Sequence, residues 1–172
     1  MPAKSRNALS ADQFLFLTTN LFGILDSMKF QFSAGGIVFK KVHSASSGLQ
    51  TFVLVSQHSQ HHGWVFPKGL IGDKETFKNQ SKEETALREV QEETGVIGKI
   101  LKPLPAIEYW FVFEGDKIKK TVYYFLMEYI SGDINNHDDE MENVEWLAKE
   151  EVENRLTYPS DKKVWKVAEK LI

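Results

Sequence analysis

The stretch Arg88-Glu-Val-Gln-Glu-Glu-Thr-Gly-Val96 contains the cluster of charged residues that best indicates a chemical function for this chain. At about 100° per residue, a helix places Glu89, Glu92 and Glu93 within one narrow arc. Three carboxylates on one face repel each other, so a bound hard cation such as Mg²⁺, which prefers oxygen ligands, would offset the repulsion. A solvated acidic face is the alternative, because clustered charge usually lies at the surface.

Local signals define the bounds of this helix. Ser81 and Glu84 have the spacing of a capping box, and Gly95 is the residue type that ends helices in the left-handed conformation. The pattern therefore predicts a helix over residues 82–94. We expect its neighbouring arc to face the core, and that arc holds Ala86, Leu87 and Val90.

Strand-like segments flank this helix on both sides. They are apolar or rich in β-branched residues and are separated by turn residues. The predicted strands cover residues 32–39, 51–57, 107–113, 121–129 and 144–147. Two further helices are predicted at residues 149–154 and 160–171. A central helix among strands, with helices at the end, predicts an α/β (α+β) sandwich with a mixed sheet.

Length and charge restrict the class of protein. The chain has 172 residues, which fits one domain, and we assign residues 28–172 to it, with residues 1–27 as an N-terminal helical extension. The 21 basic and 24 acidic residues give a net charge of −3, which does not suggest a nucleic-acid partner. The absence of Cys excludes disulfides and thiolate metal sites.

The N-terminal segment does not have the pattern of a membrane span. Its most apolar part, residues 14–25, is interrupted by Thr18, Thr19 and Asn20 and is shorter than the ~20 apolar residues that a spanning helix needs. We therefore expect no membrane partner and a cytoplasmic protein. The sequence predicts no particular oligomeric state.

A second motif lies upstream of the acidic helix. Trp64-Val-Phe-Pro-Lys-Gly69 ends in a rigid turn that presents Lys68 beside a permissive backbone position. A lysine next to a carboxylate-bound metal is an arrangement that suits a pyrophosphate.

The two motifs together resemble the signature of the Nudix hydrolase family, G-x5-E-x7-R-E-U-x-E-E-x-G-U, in which U is a bulky apolar residue. Gly69 and Glu75 match the first half, and residues 88–96 match every fixed position of the second. The spacer departs from the family, because twelve residues rather than seven separate Glu75 from Arg88. We expect the five extra residues, 76–80, to form a mobile loop outside the metal site.

This resemblance implies the Nudix α-β-α sandwich and hydrolysis of a nucleoside diphosphate linked to another group. It assigns Mg²⁺ or Mn²⁺ to Glu89, Glu92 and Glu93, with Gly69 serving the geometry of the metal site. Arg88 would orient the glutamates through charge-assisted hydrogen bonds.

The resemblance leaves two candidates for the base that accepts the proton of the attacking water. Glu93 is one, and Glu140, six residues before Trp146-Leu147, is the other. A glutamate at that distance from a Trp-Leu pair supplies a ligand or base in relatives that hydrolyse dinucleoside polyphosphates. A solvated loop is the alternative for Glu140. Glu92 and Arg88 complete the predicted catalytic set.

The segment Lys119-Lys-Thr-Val-Tyr-Tyr124 resembles one subgroup, the diadenosine tetraphosphate hydrolases. The resemblance implies that Tyr124 stacks on a base while Lys120 and Lys68 meet phosphates. A strand with alternating core aromatics is the alternative for the tyrosines.

These expectations favour a metal-dependent pyrophosphohydrolase whose small-molecule substrate is a dinucleoside polyphosphate of the Ap4A type. A MutT-like enzyme that removes oxidised nucleoside triphosphates is a second possibility. A third is a catalytically silent domain that binds nucleotides as a sensor. The intact Glu89, Glu92 and Glu93 argue against the third, because a sensor need not keep three mutually repelling carboxylates together.

Overall fold

The computed structural model describes residues 28–45, 48–72 and 75–172. The helical extension predicted for residues 1–27 lies outside the described residues. Eight strands form one sheet: β1 (Met28–Ser44), β2 (Gly48–His58), β3 (Trp64–Val65), β4 (Lys68–Leu70), β5 (Val96–Pro103), β6 (Ile107–Phe113), β7 (Asp116–Gly132) and β8 (Met141–Ala148). Three α-helices accompany it in this part of the chain: α1 (Lys82–Thr94), α2 (Val152–Arg155) and α3 (Pro159–Ala168).

The sheet is mixed and is organised around the long strands β1 and β7. The main strand order is β3-β2-β1-β7-β5, while β4 pairs with β1, β6 with β7 and β8 with β2. β1 and β7 run parallel, from Met28 opposite Lys117 to Phe39 opposite Glu128. The other pairs of described strands are antiparallel. A parallel pair needs a long connection, and α1 lies within the one that joins β1 to β7.

The two faces of the sheet carry separate apolar cores. Alternate residues of a strand point to opposite faces. Ala34 and Val38 of β1 accordingly pack in the cluster that includes Val90 of α1. Ile37 of β1 packs in the other cluster, which includes Trp165 of α3. Helices thus cover both faces, which confirms the predicted sandwich.

The bounds of α1 agree with the prediction because its ends are set by local interactions. Ser81 Oγ accepts a hydrogen bond from the Glu84 N–H at 3.1 Å, and the Glu84 carboxylate accepts one from the Ser81 N–H at 2.8 Å. Gly95 ends the helix at φ 69°, where a side chain would be strained. The prediction for Leu87 was wrong, because its side chain is 37% exposed and lies outside both cores.

The strands agree less closely with the sequence pattern. β6 has the predicted bounds, whereas β1, β2, β7 and β8 are longer at both ends than the apolar runs that predicted them. β3, β4 and β5 were not predicted. β3 and β4 are too short to show alternation, and β5 follows directly after Gly95.

The described residues contain no helix that is both long enough and apolar enough to cross a membrane.

Candidate active site

One cavity of about 780 Å³ opens between α1, β4, β6, β7 and the start of α3. Two kinds of side chain line it. The charged side consists of residues from β4, α1 and β7, namely Lys68, Arg88, Glu89, Glu92, Glu93 and Lys120. The aromatic side consists of Tyr109 and Phe111 of β6 together with Tyr158, which precedes α3. The cavity therefore joins an ionic surface to a surface suited to a flat ring.

Arg88 is the centre of the charged side. Its Nη2 atom lies 2.6 Å from Glu89 Oε1, and its Nη1 atom lies 2.8 Å from Glu92 Oε2. The guanidinium thus pairs with two of the three predicted metal ligands, as the resemblance implied. Arg88 therefore offsets part of the repulsion between the carboxylates.

Glu93 is held differently, by the backbone of the neighbouring strand. Its side chain is buried, and its Oε2 accepts a hydrogen bond from the Lys68 N–H at 2.9 Å. Burial raises the pKa of Glu93 to about 8, although the Lys68 charge and this hydrogen bond act in the opposite direction. A cation bound beside this carboxyl would favour its ionised form.

Gly69 makes room for the glutamates. A Cβ atom at this position would lie 2.0 Å from Glu89 Cδ, a distance that no real contact shows. The glycine therefore places the backbone of β4 directly against the Glu89 carboxylate. The predicted geometric role of Gly69 rests on this close approach rather than on an unusual backbone angle.

The glutamates fit a divalent cation by their chemistry, although they do not form a ready-made cage. Glu89, Glu92 and Glu93 line one cavity with hard carboxylate oxygens, which are the ligands that Mg²⁺ and Mn²⁺ prefer. Among the described residues, no group of three or more His, Asp or Glu side chains is arranged to hold a metal. The physical reason is that Arg88 and the Lys68 N–H hold the carboxylates in this arrangement.

Two lysines supply positive charge to the same cavity. Lys68 of β4 and Lys120 of β7 both line it. Burial, together with the charge of Lys68, lowers the pKa of Lys120 to about 8, while Glu93 and Glu89 counteract the shift. The structure thus places both predicted phosphate contacts next to the glutamates.

Glu140 reaches the cavity from the loop before β8. Its carbonyl oxygen accepts hydrogen bonds from both the N–H and the hydroxyl of Ser59, each at 3.0 Å. The backbone of this residue is therefore fixed, while its side chain is exposed. Its role as a catalytic base stays a prediction.

Tyr124 does not line the cavity, and its predicted role in stacking on a base was wrong. The side chain has no exposed surface and packs edge-on against Phe66, with ring centroids 6.1 Å apart. The physical reason is strand alternation, since this residue points into the core beneath α3. Its hydroxyl donates a hydrogen bond to Asp161 Oδ1 at 2.9 Å.

Two of the five extra residues contact Arg88, and none of the five lines the cavity. Phe77 lies below the Arg88 guanidinium at 4.2 Å from ring centroid to Cζ, and Gln80 Oε1 accepts a hydrogen bond from Arg88 Nε at 3.0 Å. Glu75 instead is exposed and pairs with Lys78 Nζ at 2.6 Å. The seven-residue spacer of the family motif, counted back from Arg88, covers residues 81–87, so Gln80 occupies the position of the motif glutamate, and this count could have identified it.

The aromatic side of the cavity was missed by the sequence analysis. Tyr158 lies between the two helices predicted at residues 149–154 and 160–171, and its hydroxyl hydrogen-bonds His61 Nδ1 at 3.0 Å. His61 in turn stacks on His58 with ring centroids 4.2 Å apart, and both histidines line the cavity. Burial lowers the pKa of both histidines.

A model of the family described as NUDIX domain matches residues 32–167. The chain belongs to the Nudix family. The match includes the whole charged side of the cavity.

Two curated relatives of this Nudix domain are similar over most of its length. A Mycobacterium tuberculosis protein named as a mutator protein, MutT4, is 36% identical over 142 residues, which is 81% of this chain. The 8-oxo-(d)GTP phosphatase of Mycolicibacterium smegmatis is 27% identical over 143 residues, which is 77% of this chain. The chain spans 55% and 39% of the length of these two relatives.

A solved structure of a C. elegans Ap4A hydrolase has the same fold. It is similar with a TM-score of 0.56 over 79% of this chain and 93% of that chain, at 18% sequence identity. At this identity the likeness concerns the fold alone.

Replacing Tyr124 should destabilise the protein. Because the ring is fully buried, we expect Tyr124→Ala to lower the free energy of unfolding by ~3–5 kcal/mol. Tyr124→Phe removes only the hydroxyl bonded to Asp161 and should cost ~1–3 kcal/mol. Denaturant unfolding of both variants measures these values. A Tyr124→Ala protein of wild-type stability would contradict the core position.

Gln80 and Glu75 should differ in their effect on stability. Gln80→Ala removes a hydrogen bond to a charged and largely buried guanidinium, so we expect a loss of ~1.5–3 kcal/mol. Glu75→Gln breaks an exposed ion pair and should cost ~0–1 kcal/mol. Denaturant unfolding compares the two variants directly. A larger loss of stability for Glu75→Gln than for Gln80→Ala would indicate that Glu75, and not Gln80, supports Arg88.

Glu93 should make the stability of the metal-free protein depend on pH. An unfolded glutamate releases its proton near pH 4.5, whereas the folded Glu93 keeps its proton to about pH 8. The folded state then binds the extra proton in this window, so stability is greatest below pH 4.5 and falls as the pH rises to 8. The slope reaches at most ~1.4 kcal/mol per pH unit.

We expect Glu93→Gln to remove this slope. The measurement is denaturant unfolding in EDTA between pH 5 and 8, with the exposed Glu150→Gln as the matched control. Curves for the wild type and Glu93→Gln that stay parallel across the window would show that Glu93 is already ionised in the folded protein.

Proposed function

We propose that this Nudix domain is a Mg²⁺- or Mn²⁺-dependent pyrophosphohydrolase that acts on nucleoside triphosphates. The observation that carries the proposal is the juxtaposition in one cavity of carboxylates, two lysines and an aromatic side. Carboxylates with a metal and lysines suit a polyphosphate, and aromatic rings suit a nucleobase. The similarity to a mutator protein and to an 8-oxo-(d)GTP phosphatase supports this substrate class.

The residues of the charged side have different roles in binding the polyphosphate. Glu89, Glu92 and Glu93 would hold the cation, and Lys68 and Lys120 would contact phosphate oxygens. When bound, the cation lowers the pKa of a coordinated water and neutralises charge on the phosphates. Arg88 keeps Glu89 and Glu92 in position through its two ion pairs.

Two carboxylates can accept the proton of the attacking water. Glu93 is buried and fixed by the Lys68 N–H, so it is the better positioned of the two. Glu140 is exposed at the edge of the same cavity and could approach when the substrate is bound. We propose that Glu93 accepts this proton, and Glu140 is the alternative base against which it is compared.

The buried position of Tyr124 changes the balance between the substrate classes. Stacking on Tyr124 was one of the few features that favoured a dinucleoside polyphosphate, and a fully buried ring cannot provide it. The single aromatic side of the cavity suits one base. A catalytically silent sensor would not require the glutamates to remain together in the cavity.

The test is hydrolysis of a panel of nucleotides by the full chain in the presence and absence of Mg²⁺. We expect nucleoside triphosphates to be cleaved faster than diadenosine tetraphosphate, with the products identified by chromatography. Glu92→Gln and Glu93→Gln should lower kcat by at least ~10²-fold, which is the lower end for the loss of acid–base function.

Glu75→Gln serves as the matched control, because Glu75 lies outside the cavity and should leave kcat unchanged. Full activity in excess EDTA would refute the metal dependence. Faster cleavage of diadenosine tetraphosphate than of any triphosphate would refute the substrate class, and binding of nucleotides without turnover would favour a sensor.

A further inference from the structure

Asp161 is a buried carboxyl group that faces the cavity. It is the third residue of α3, its surface is 3% exposed, and it lines the cavity next to the aromatic side. Its Oδ1 atom accepts the hydrogen bond from the Tyr124 hydroxyl at 2.9 Å. Tyr124 itself does not line the cavity, so Asp161 is the member of this pair that a ligand can reach.

The hydrogen-bonding capacity of Asp161 is only partly used. A carboxylate offers two oxygens with about four acceptor sites, and burial without donors is costly. Among the described residues, the Tyr124 hydroxyl is the donor to this side chain, and Oδ2 receives no hydrogen bond. Burial raises the pKa of Asp161, while the charge of Lys68 and the Tyr124 hydrogen bond act in the opposite direction. A ligand that brings N–H donors would offset the cost of burial.

A role in the helix alone does not account for this side chain. An acidic residue in the first turn interacts favourably with the helix dipole, but an exposed carboxylate is sufficient for that. The N-terminus of α3 has no side-chain cap, and Asp161 bonds across to β7 instead.

The neighbours of Asp161 indicate what kind of donor would approach it. Tyr109, Phe111 and Tyr158 line the same cavity and offer ring faces or edges to a flat group. Tyr158 lies three positions before Asp161 in the chain, and the ring centroids of Tyr109 and Phe111 are 6.1 Å apart. An acceptor beside aromatic rings can contact the edge of a base that lies among them. Guanine carries adjacent N–H donors, on N1 and on the N2 amino group, whereas the corresponding edge of adenine has an acceptor at N1. A carboxylate therefore distinguishes the two purines.

We propose that Asp161 determines the base specificity of this domain by accepting hydrogen bonds from the N1–H and N2 amino donors of a guanine-type purine. The proposal rests on the proposed function, because it assumes that the phosphates occupy the charged side of the cavity. Tyr124 is then a positioning residue, since it holds Oδ1 and leaves Oδ2 for the substrate.

The experiment measures kcat and KM for dGTP, dITP and dATP with Mg²⁺. Inosine keeps N1–H and lacks the N2 amino group, so dITP removes one donor from the ligand. We expect the wild type to use dGTP best, dITP less well and dATP least. Asp161→Asn keeps the size of the side chain and replaces an acceptor oxygen by a donor amide. It should reduce the preference for dGTP over dATP at least ~10-fold, mainly through KM.

Asp116→Asn is the matched control. Asp116, the first residue of β7, pairs with Lys29 of β1 and does not line the cavity, so the preference should be unchanged. Thermal unfolding verifies that the variants are folded. If Asp161→Asn does not fold, the wild-type ratio of dGTP to dITP still decides, because the substrate lacks the same contact.

The outcomes separate the two proposals. Cleavage of the triphosphates with a dGTP preference that Asp161→Asn leaves unchanged would overturn the role of Asp161 alone. Equal use of dGTP and dITP, or a wild-type preference for dATP, would overturn it as well. Failure to cleave any triphosphate would overturn the proposed function, and with it the inference that rests on it.

Discussion

The guanidinium of Arg88 allows three carboxylates to share one face of α1. Like charges at this spacing destabilise a helix, yet Glu89 and Glu93 are buried here. Arg88 pairs with Glu89 and Glu92, and the Lys68 N–H binds Glu93, so each carboxylate has a partner before any cation arrives. The remaining features of the site maintain this arrangement. Gly69 leaves space for the Glu89 carboxylate, and Gln80 bonds Arg88 from outside the helix.

Features that depend on contacts between residues close in the chain could be predicted from the sequence, whereas features that depend on distant contacts could not. The bounds of α1 depend on contacts within a few residues, namely the capping box at Ser81 and the αL residue Gly95, and they were predicted. The fold class followed from the pattern of apolar segments. β3 and β4 have two and three residues, so pairing with β2 and β1 defines them, and no local pattern predicts such pairing.

The site shows the same division. The charged motif residues on α1 line one cavity, because helical spacing places them on one side of the helix. Tyr123 and Tyr124 are adjacent on β7 and point to opposite faces of the sheet, and the sequence alone does not show which of them faces α3. Packing against Phe66 and hydrogen bonding to Asp161 place Tyr124 on that side. The motif spacing alone did not show whether Glu75 or Gln80 approaches Arg88, and the hydrogen bond from Arg88 to Gln80 identifies Gln80.

The parallel pairing of β1 with β7 has a consequence for how the chain reaches this structure. Opposed residues such as Met28 and Lys117 are about 90 positions apart in the chain. Such long loops are entropically costly to close, and folds rich in distant contacts form slowly. During synthesis, β1 and α1 leave the ribosome before β7 does. Until β7 has left the ribosome, Val38 and Val90 lack their core neighbour Met127. The apolar surface of this cluster therefore stays exposed on the nascent chain.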